Sequence, residues 1–340
     1  MTWITAAGIL VVLLAMADLV LTTLTVRGGG PLSSPLIRWT WKALLRLTGG
    51  NRRGRVLALG GPLSVAGMMV MWTLLLWVGW TLVFLGSEGG VVSSSSRLPA
   101  RGWTLAYYAG YTLFTLGLGD FRPEGTAWQL ATAACSANGL LALTLSVTYL
   151  VPVVSAAASK RQLALLVGVM GGTPGAILQR YWDGHSLSAM EQPLGRLCPL
   201  IVTQSQQHLT YPALHRFHSV EPASALALRL AALDDTLHLL LTRVAPEAAP
   251  RRCLLLEVRG AIAAFLAAMD AARIDPAPQE PPLPPAACLG RLGVPQAEPA
   301  GGDTRWSLHR RLMLALVEND GWQWQDIHER PATPRLPGEG

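Results

Sequence analysis

Charge is what this sequence has least of. Asp, Glu, Lys and Arg make up 14% of its 340 residues, against about a quarter in an ordinary soluble protein, so a chain bathed on all sides by water is excluded. Acids are missing altogether from positions 26–61, where Arg27, Arg38, Lys42, Arg46, Arg52, Arg53 and Arg55 stand unopposed. Cysteine is sparse. Cys135, Cys198, Cys253 and Cys288 form no Cys-x-x-Cys pair, which removes the spacing of zinc ribbons and dithiol redox centres and leaves reduced thiols as the expected state. No Gly-x-Gly-x-x-Gly turn follows a strand-like run. The nearest stretch, Gly168 to Gly175, follows a helix-like run with the wrong spacing, so a dinucleotide fingerprint is not expected. The second half shows no series of alternating strands, which argues against a β-rich nucleotide-binding domain there.

What the chain does have is long apolar runs. Hydrophobic residues make up 51% of it and the mean hydropathy is +0.34. Residues 3–26, Leu63–Leu85 and Ala127–Ser155 each reach the roughly 20 residues that a helix needs to cross the hydrocarbon core. The net charge of +6 lies almost entirely in positions 26–61; from Ser155 onward basic and acidic residues balance at 17 each. A nucleic-acid protein would carry its surplus on a soluble domain, whereas a short basic loop between apolar spans is the positive-inside pattern. This predicts no nucleic-acid partner, membrane lipid as surroundings, an uncleaved first helix with its N-terminus outside, and a cytosolic C-terminal half. Composition and the small cytosolic part suggest a bacterial inner membrane.

Between the second and third runs lies Thr115-Leu116-Gly117-Leu118-Gly119-Asp120. Alternating glycines let main chain adopt conformations that a Cβ resists, so several copies around an axis can aim successive carbonyls inward in place of an ion's hydration shell. The stretch resembles the Thr-Val-Gly-Tyr-Gly-Asp selectivity filter of the potassium-channel pore superfamily. The aromatic segment Trp103–Phe114 before it, Pro123 three residues after Asp120, and Gly139 nineteen residues after it extend the likeness over roughly Leu63–Lys160. The resemblance implies an all-α membrane protein: a homotetramer with one pore loop per chain, K⁺ as the permeant ion, no organic cofactor and no enzymatic activity. It implies ion-binding oxygens from Thr115, Leu116, Gly117, Leu118 and Gly119, with Asp120 at the outer mouth. It also implies gating roles for Gly139, as a hinge, and for Pro152, whose missing N–H should bend the inner helix. Leu118 departs from the family, which places Tyr or Phe there to brace the filter width. Conduction is expected to survive the change, and strict rejection of Na⁺ is put in question. No arginine repeat of a voltage sensor is present.

The organisation expected is an N-terminal transmembrane helix (1–26) and a basic loop with an interfacial helix (27–61). A pore domain follows (62–160), with outer helix 63–85, pore helix 103–114, filter 115–120 and inner helix 127–157. Then come a helical cytosolic domain (161–274), a Pro-rich irregular linker (275–303), a C-terminal helical segment (304–330) and a disordered tail (331–340). Arg38, Lys42 and Arg46 fall on one helical face, as an interfacial anchor or as an element that pushes on the pore helices. The loop 86–101, with Ser93 to Ser96, reads as a polar extracellular loop and resembles the variable turret of the family; a flexible linker is the alternative.

Asp18 interrupts the first apolar run. An intramembrane carboxylate faces neighbouring helices and bonds to Thr or Trp, or reaches the cytosolic interface, or serves gating or pH sensing. His215 and His218, at i,i+3, would share a metal if helical. Satisfied surface or interface histidines, still able to titrate near neutral pH and bias a gate, are the alternative. Asp234, Asp235 and His238 resemble a catalytic pair only superficially and read as a solvated face. Any ligand or partner regulating the cytosolic half is unknown. Two further functions fit the same residues: a weakly selective monovalent cation channel, and a non-conducting membrane anchor or sensor whose helical half binds a partner.

Overall fold

The structure is a computed structural model that describes residues 3–26, 28–48, 55–270, 274–298 and 304–328. In chain order it forms α1 (Trp3–Leu24), α2 (Ser33–Leu47), a single turn α3 (Arg55–Ala58), α4 (Gly60–Leu85), strand β1 (Val91–Ser93), α5 (Trp103–Leu113), strand β2 (Phe121–Pro123) and α6 (Thr126–Met170). Helices α7 (Pro174–Tyr181), α8 (Glu191–Thr210), α9 (Leu226–Thr242), α10 (Arg252–Asp270), α11 (Ala287–Leu292) and α12 (Thr304–Asn319) follow. Two compact units divide these elements: Met1–Trp41 with Pro62–Val153, and Lys42–Gly61 with Val154–Gly340.

In the first unit α1, α4 and α6 are each long and apolar enough to cross a membrane. Close approach sets how α1 meets α4. A Cβ on Gly8 would stand 2.6 Å from the Gly79 carbonyl oxygen, and one on Gly79 would stand 2.8 Å from Val12, the small-residue packing by which helices associate in lipid. The short helix α5 is held on two sides. Trp77 of α4 donates its indole N–H to the Ala106 carbonyl at 2.9 Å, and the Tyr108 and Thr132 hydroxyls bond at 2.6 Å. Phe84 meets Tyr108 edge to face at 4.9 Å. The loop 86–101 contains a short strand. β1 pairs antiparallel with β2 in the register Val91↔Pro123, Val92↔Arg122 and Ser93↔Phe121, and Val91 and Val92 are buried. The two valines carry the β-propensity that the serines after them obscure.

In the second unit α9 is the central helix, with 14 of its 17 residues buried. It touches α7, α10 and α12, while α8 lies along α10. Leu194, Ile201, Leu233, Val258, Ile262 and Phe265 belong to one core. Neither Pro193 nor Pro199 interrupts α8. Pro193 sits in the first turn, where no N–H bond is lost, and Leu194, Leu197 and Ile201 bury the opposite face to exposed Pro199. The Pro-rich stretch has no helix or strand over 275–286. It contains α11, and its carbonyls accept from α12. Arg310 donates to the Pro282 oxygen at 2.6 Å, and Arg311 donates to Ala277 at 2.5 Å. Proline lacks a donor and keeps its acceptor, so cations of a neighbouring helix hold it. The tail 331–340 lies outside the described residues.

The solvated face expected for Asp234, Asp235 and His238 is also corrected. Asp234 meets the His309 Nε2 at 3.0 Å, and fully buried Asp235 pairs with fully buried Arg310 at 2.7 Å. His238 stacks on Trp306 at 4.8 Å. Helical periodicity shows that polar residues share a stripe; it does not show that their partners lie on α12, some 75 positions away.

Candidate ion-conduction site

The site is built on the end of α5. The helix stops at Leu113, one residue short of the expected Phe114, and the chain turns sharply. The Phe114 N–H donates to the Gly110 oxygen at 2.9 Å, the Thr115 N–H to Thr112 at 3.0 Å and the Leu116 N–H to Tyr111 at 2.8 Å. A helix C-terminus carries partial negative charge, so cations are favoured beside it. Thr115 then has φ 56°, Gly117 φ 60° and Gly119 φ 80°. Space is free beside Cβ positions at both glycines, so it is the left-handed backbone, not crowding, that calls for glycine there. Thr115 is β-branched at positive φ, a costly conformation of the kind found at functional sites.

The outer end is braced. Tyr107 donates its hydroxyl to the Asp120 carboxylate at 3.1 Å, and Tyr111 donates to the Phe121 carbonyl at 2.7 Å. From the turret, the Ser94 hydroxyl donates to the Gly119 carbonyl at 2.5 Å and the Ser94 N–H to the Asp120 carbonyl at 2.9 Å. Leu118 is half exposed in the single chain, as is Leu116, and its side chain has no group to donate. Sequence reasoning missed Ser94, Tyr107 and Tyr111 as bracing groups; the serine run and the tyrosine-rich helix were visible, their targets 10 to 25 positions away were not. Beside this turn a cavity of about 240 Å³ lies among Leu113, Thr115, Gly139, Leu143, Ser146 and Val147.

Of the gating candidates, Gly139 has a packing reason for being glycine. A Cβ there would overlap the Leu113 carbonyl oxygen, so glycine lets α6 lie against the end of α5. Pro152 sits inside α6, which continues to Met170 and contains the whole of the expected inner helix. Asp18 is fully buried and accepts from the Leu32 N–H at 2.6 Å, the Ser33 N–H at 3.1 Å, the Ser33 hydroxyl and the Trp72 indole at 2.8 Å. One carboxylate therefore caps the start of α2, whose first N–H groups lack helical acceptors, and ties it to α1 and α4. Thr22 joins the same network by accepting from the Gly30 N–H at 2.9 Å.

His215 and His218 do not share a helical face. His215 lies in a 3₁₀ turn, Pro212–Arg216, with His218 beyond it. The His215 ring packs on His208 at 4.9 Å, while His218 faces Asp320 at 3.4 Å. Among the described residues no group of three or more His, Cys, Asp or Glu is arranged to hold a metal. Titration of His215 near neutral pH is corrected too. Burial, with Lys160 and Arg216 nearby, drives its pKa down to about 3, and His208 is lowered in the same way.

Residues 67–156 match the model of a family described as ion channel. The chain is 33% identical over 329 residues to the uncharacterized membrane protein YdjJ of Bacillus subtilis (strain 168), a match covering 94% of each chain. No solved structure matches.

Proposed function

We propose, since this chain belongs to the ion-channel family, that four copies assemble around Thr115–Gly119 and pass potassium ions passively down their electrochemical gradient. The carrying observation is the main chain that follows α5: left-handed residues at 115, 117 and 119 on a segment held between two apolar helices. Carbonyls of Thr115, Leu116, Gly117, Leu118 and Gly119 would replace water around a bare monovalent cation. The basic loop supports an orientation with the N-terminus outside and the second unit in the cytosol, and a bacterial relative of near-equal length supports a bacterial inner membrane as the setting. Gating would pass through α6, by a stimulus that the cytosolic unit receives.

The test is K⁺ flux into liposomes reconstituted with purified protein. Wild type is expected to conduct. Gly117→Ala should abolish the flux, because alanine resists φ 60° by about 1 kcal/mol or more in each of four copies. Flux that is absent in wild type, or unchanged in Gly117→Ala, removes the reading.

A second reading, a weakly selective monovalent cation channel, is favoured by one observation. Leu118 stands where an aromatic side chain would hold the filter width, and it is half exposed. Reversal potentials in mixed K⁺ and Na⁺ separate the two: a value near the K⁺ equilibrium potential supports selectivity, a value near zero supports the alternative.

A further inference from the structure

We infer that Ser94 of the turret is a specificity-determining positioning residue, whose hydroxyl fixes the outermost filter carbonyl and does the bracing that Leu118 cannot. The inference rests on the conducting reading above and adds a residue to it that lies outside the filter and outside α5.

Three observations converge on Ser94. The first is its target: the hydroxyl donates to the carbonyl oxygen of Gly119 at 2.5 Å, which is one of the oxygens offered to the ion. A carbonyl has two lone pairs, so one hydroxyl can hold its direction and leave the other pair for a cation. The second is how Ser94 is placed. β1 and β2 are in register up to Ser93↔Phe121, and the Ser94 N–H extends that ladder to the Asp120 carbonyl at 2.9 Å. Main-chain bonds therefore set the residue opposite the end of the filter, and the side chain is free for the tether. The third is the contrast with its neighbours. Ser93 and Ser95 bond to each other at 3.2 Å, and the Ser96 N–H donates to the Ser93 hydroxyl at 3.4 Å. Those serines close their own turn, while Ser94 reaches 25 positions along the chain.

The physics of selectivity explains why the tether matters. A ring of carbonyls discriminates between ions through the number, direction and freedom of its dipoles. A glycine carbonyl with φ 80° is free to turn unless something holds it. With leucine at 118 no side-chain donor braces the ring from that residue. Tyr107 and Tyr111 act on Asp120 and Phe121, beyond the ring. Ser94 acts on the ring itself.

The experiment measures reversal potentials in mixed K⁺ and Na⁺ for the full-length channel in planar bilayers, comparing wild type with Ser94→Ala, Ser94→Thr, Ser95→Ala and Ser96→Ala. The expected result is that Ser94→Ala still conducts, with its K⁺ over Na⁺ permeability ratio lowered by about fivefold, the weight of one neutral hydrogen bond. Ser94→Thr keeps a hydroxyl and should restore the ratio, and the other two variants should match wild type. A merely structural role would lower the amount of active channel and leave the ratio alone. If Ser94→Ala conducts with the wild-type ratio, the inference is overturned. If Ser94→Ala is silent, recovery of a selective current in Ser94→Thr supports the tether, and failure to recover in an assembled protein overturns it. If wild type itself carries no K⁺ current, the conducting reading has failed and the tether falls with it, an outcome distinct from the others.

Discussion

Asp18 shows how one residue organises a membrane unit. A lone charge in the bilayer core is costly, yet four donors converge on this one: two main-chain N–H groups at the start of α2, the Ser33 hydroxyl and the Trp72 indole. The positive end of α2 adds a favourable field. Replacing the carboxylate strands its donors where water does not reach. Asp18→Ala is therefore expected to destabilise the fold by about 3 kcal/mol or more, since each buried unsatisfied group costs roughly 1–3 kcal/mol. Asp18→Asn keeps an acceptor and should lose less. Thermal melts of detergent-purified protein rank the three; an Asp18→Ala that melts with wild type would show that the network contributes nothing. The apolar run around Asp18 pointed to a carboxylate with Thr or Trp partners, and Thr22 and Trp72 are in its network. Its main service, as the cap of another helix, was not legible, because a capping residue is looked for next to the helix it caps.

At the scale of elements, the second unit carries its titratable groups inside. Burial drives His215 down to about 3 and, with Arg310 and Arg259 nearby, His238 down to about 4. A histidine depressed in the folded state takes up protons preferentially when unfolded. Its contribution is present above pH 6.5 and is lost as pH falls from about 6.5 toward the folded pKa. Asp235 has the opposite sign. Burial raises it to about 7 against the pull of Arg310, so acid favours its folded form. The variant that isolates the histidine term is His215→Gln. Between pH 7 and pH 5 wild type should lose up to about 2 kcal/mol more stability than the variant, read from denaturant melts at the two pH values. Parallel pH profiles would refute the assignment. Element identity was legible where an apolar run is long enough to cross a bilayer, as in α1, α4 and α6. It was not legible for β1, three residues beside a serine run, nor for α11 within a proline-rich stretch. There the decisive bonds, such as Arg310 to Pro282, connect parts of the chain that no local window contains.

At the scale of the whole molecule, the three long apolar helices and the turn through Gly117 and Gly119 could be read from the chain. Each depends on local composition or on a short spacing. The four-chain assembly proposed above has a direct test. One pore loop per chain encloses nothing by itself, so light scattering of the purified particle should return four times the 36.3 kDa of the chain once detergent is subtracted. A monomeric or dimeric mass would be incompatible with a closed ring of carbonyls.

The pairing of Asp235 with Arg310 also bears on how the chain is made. Arg310 lies 75 positions after Asp235, and ribosomes add about 5–20 residues per second. For roughly 4–15 s of synthesis, a nascent helix rich in leucine is present without the cation that neutralises its centre. The second unit therefore cannot close vectorially as it emerges. It must wait, half-finished and sticky, for α12 to arrive, and holding chaperones are expected to find it during that interval.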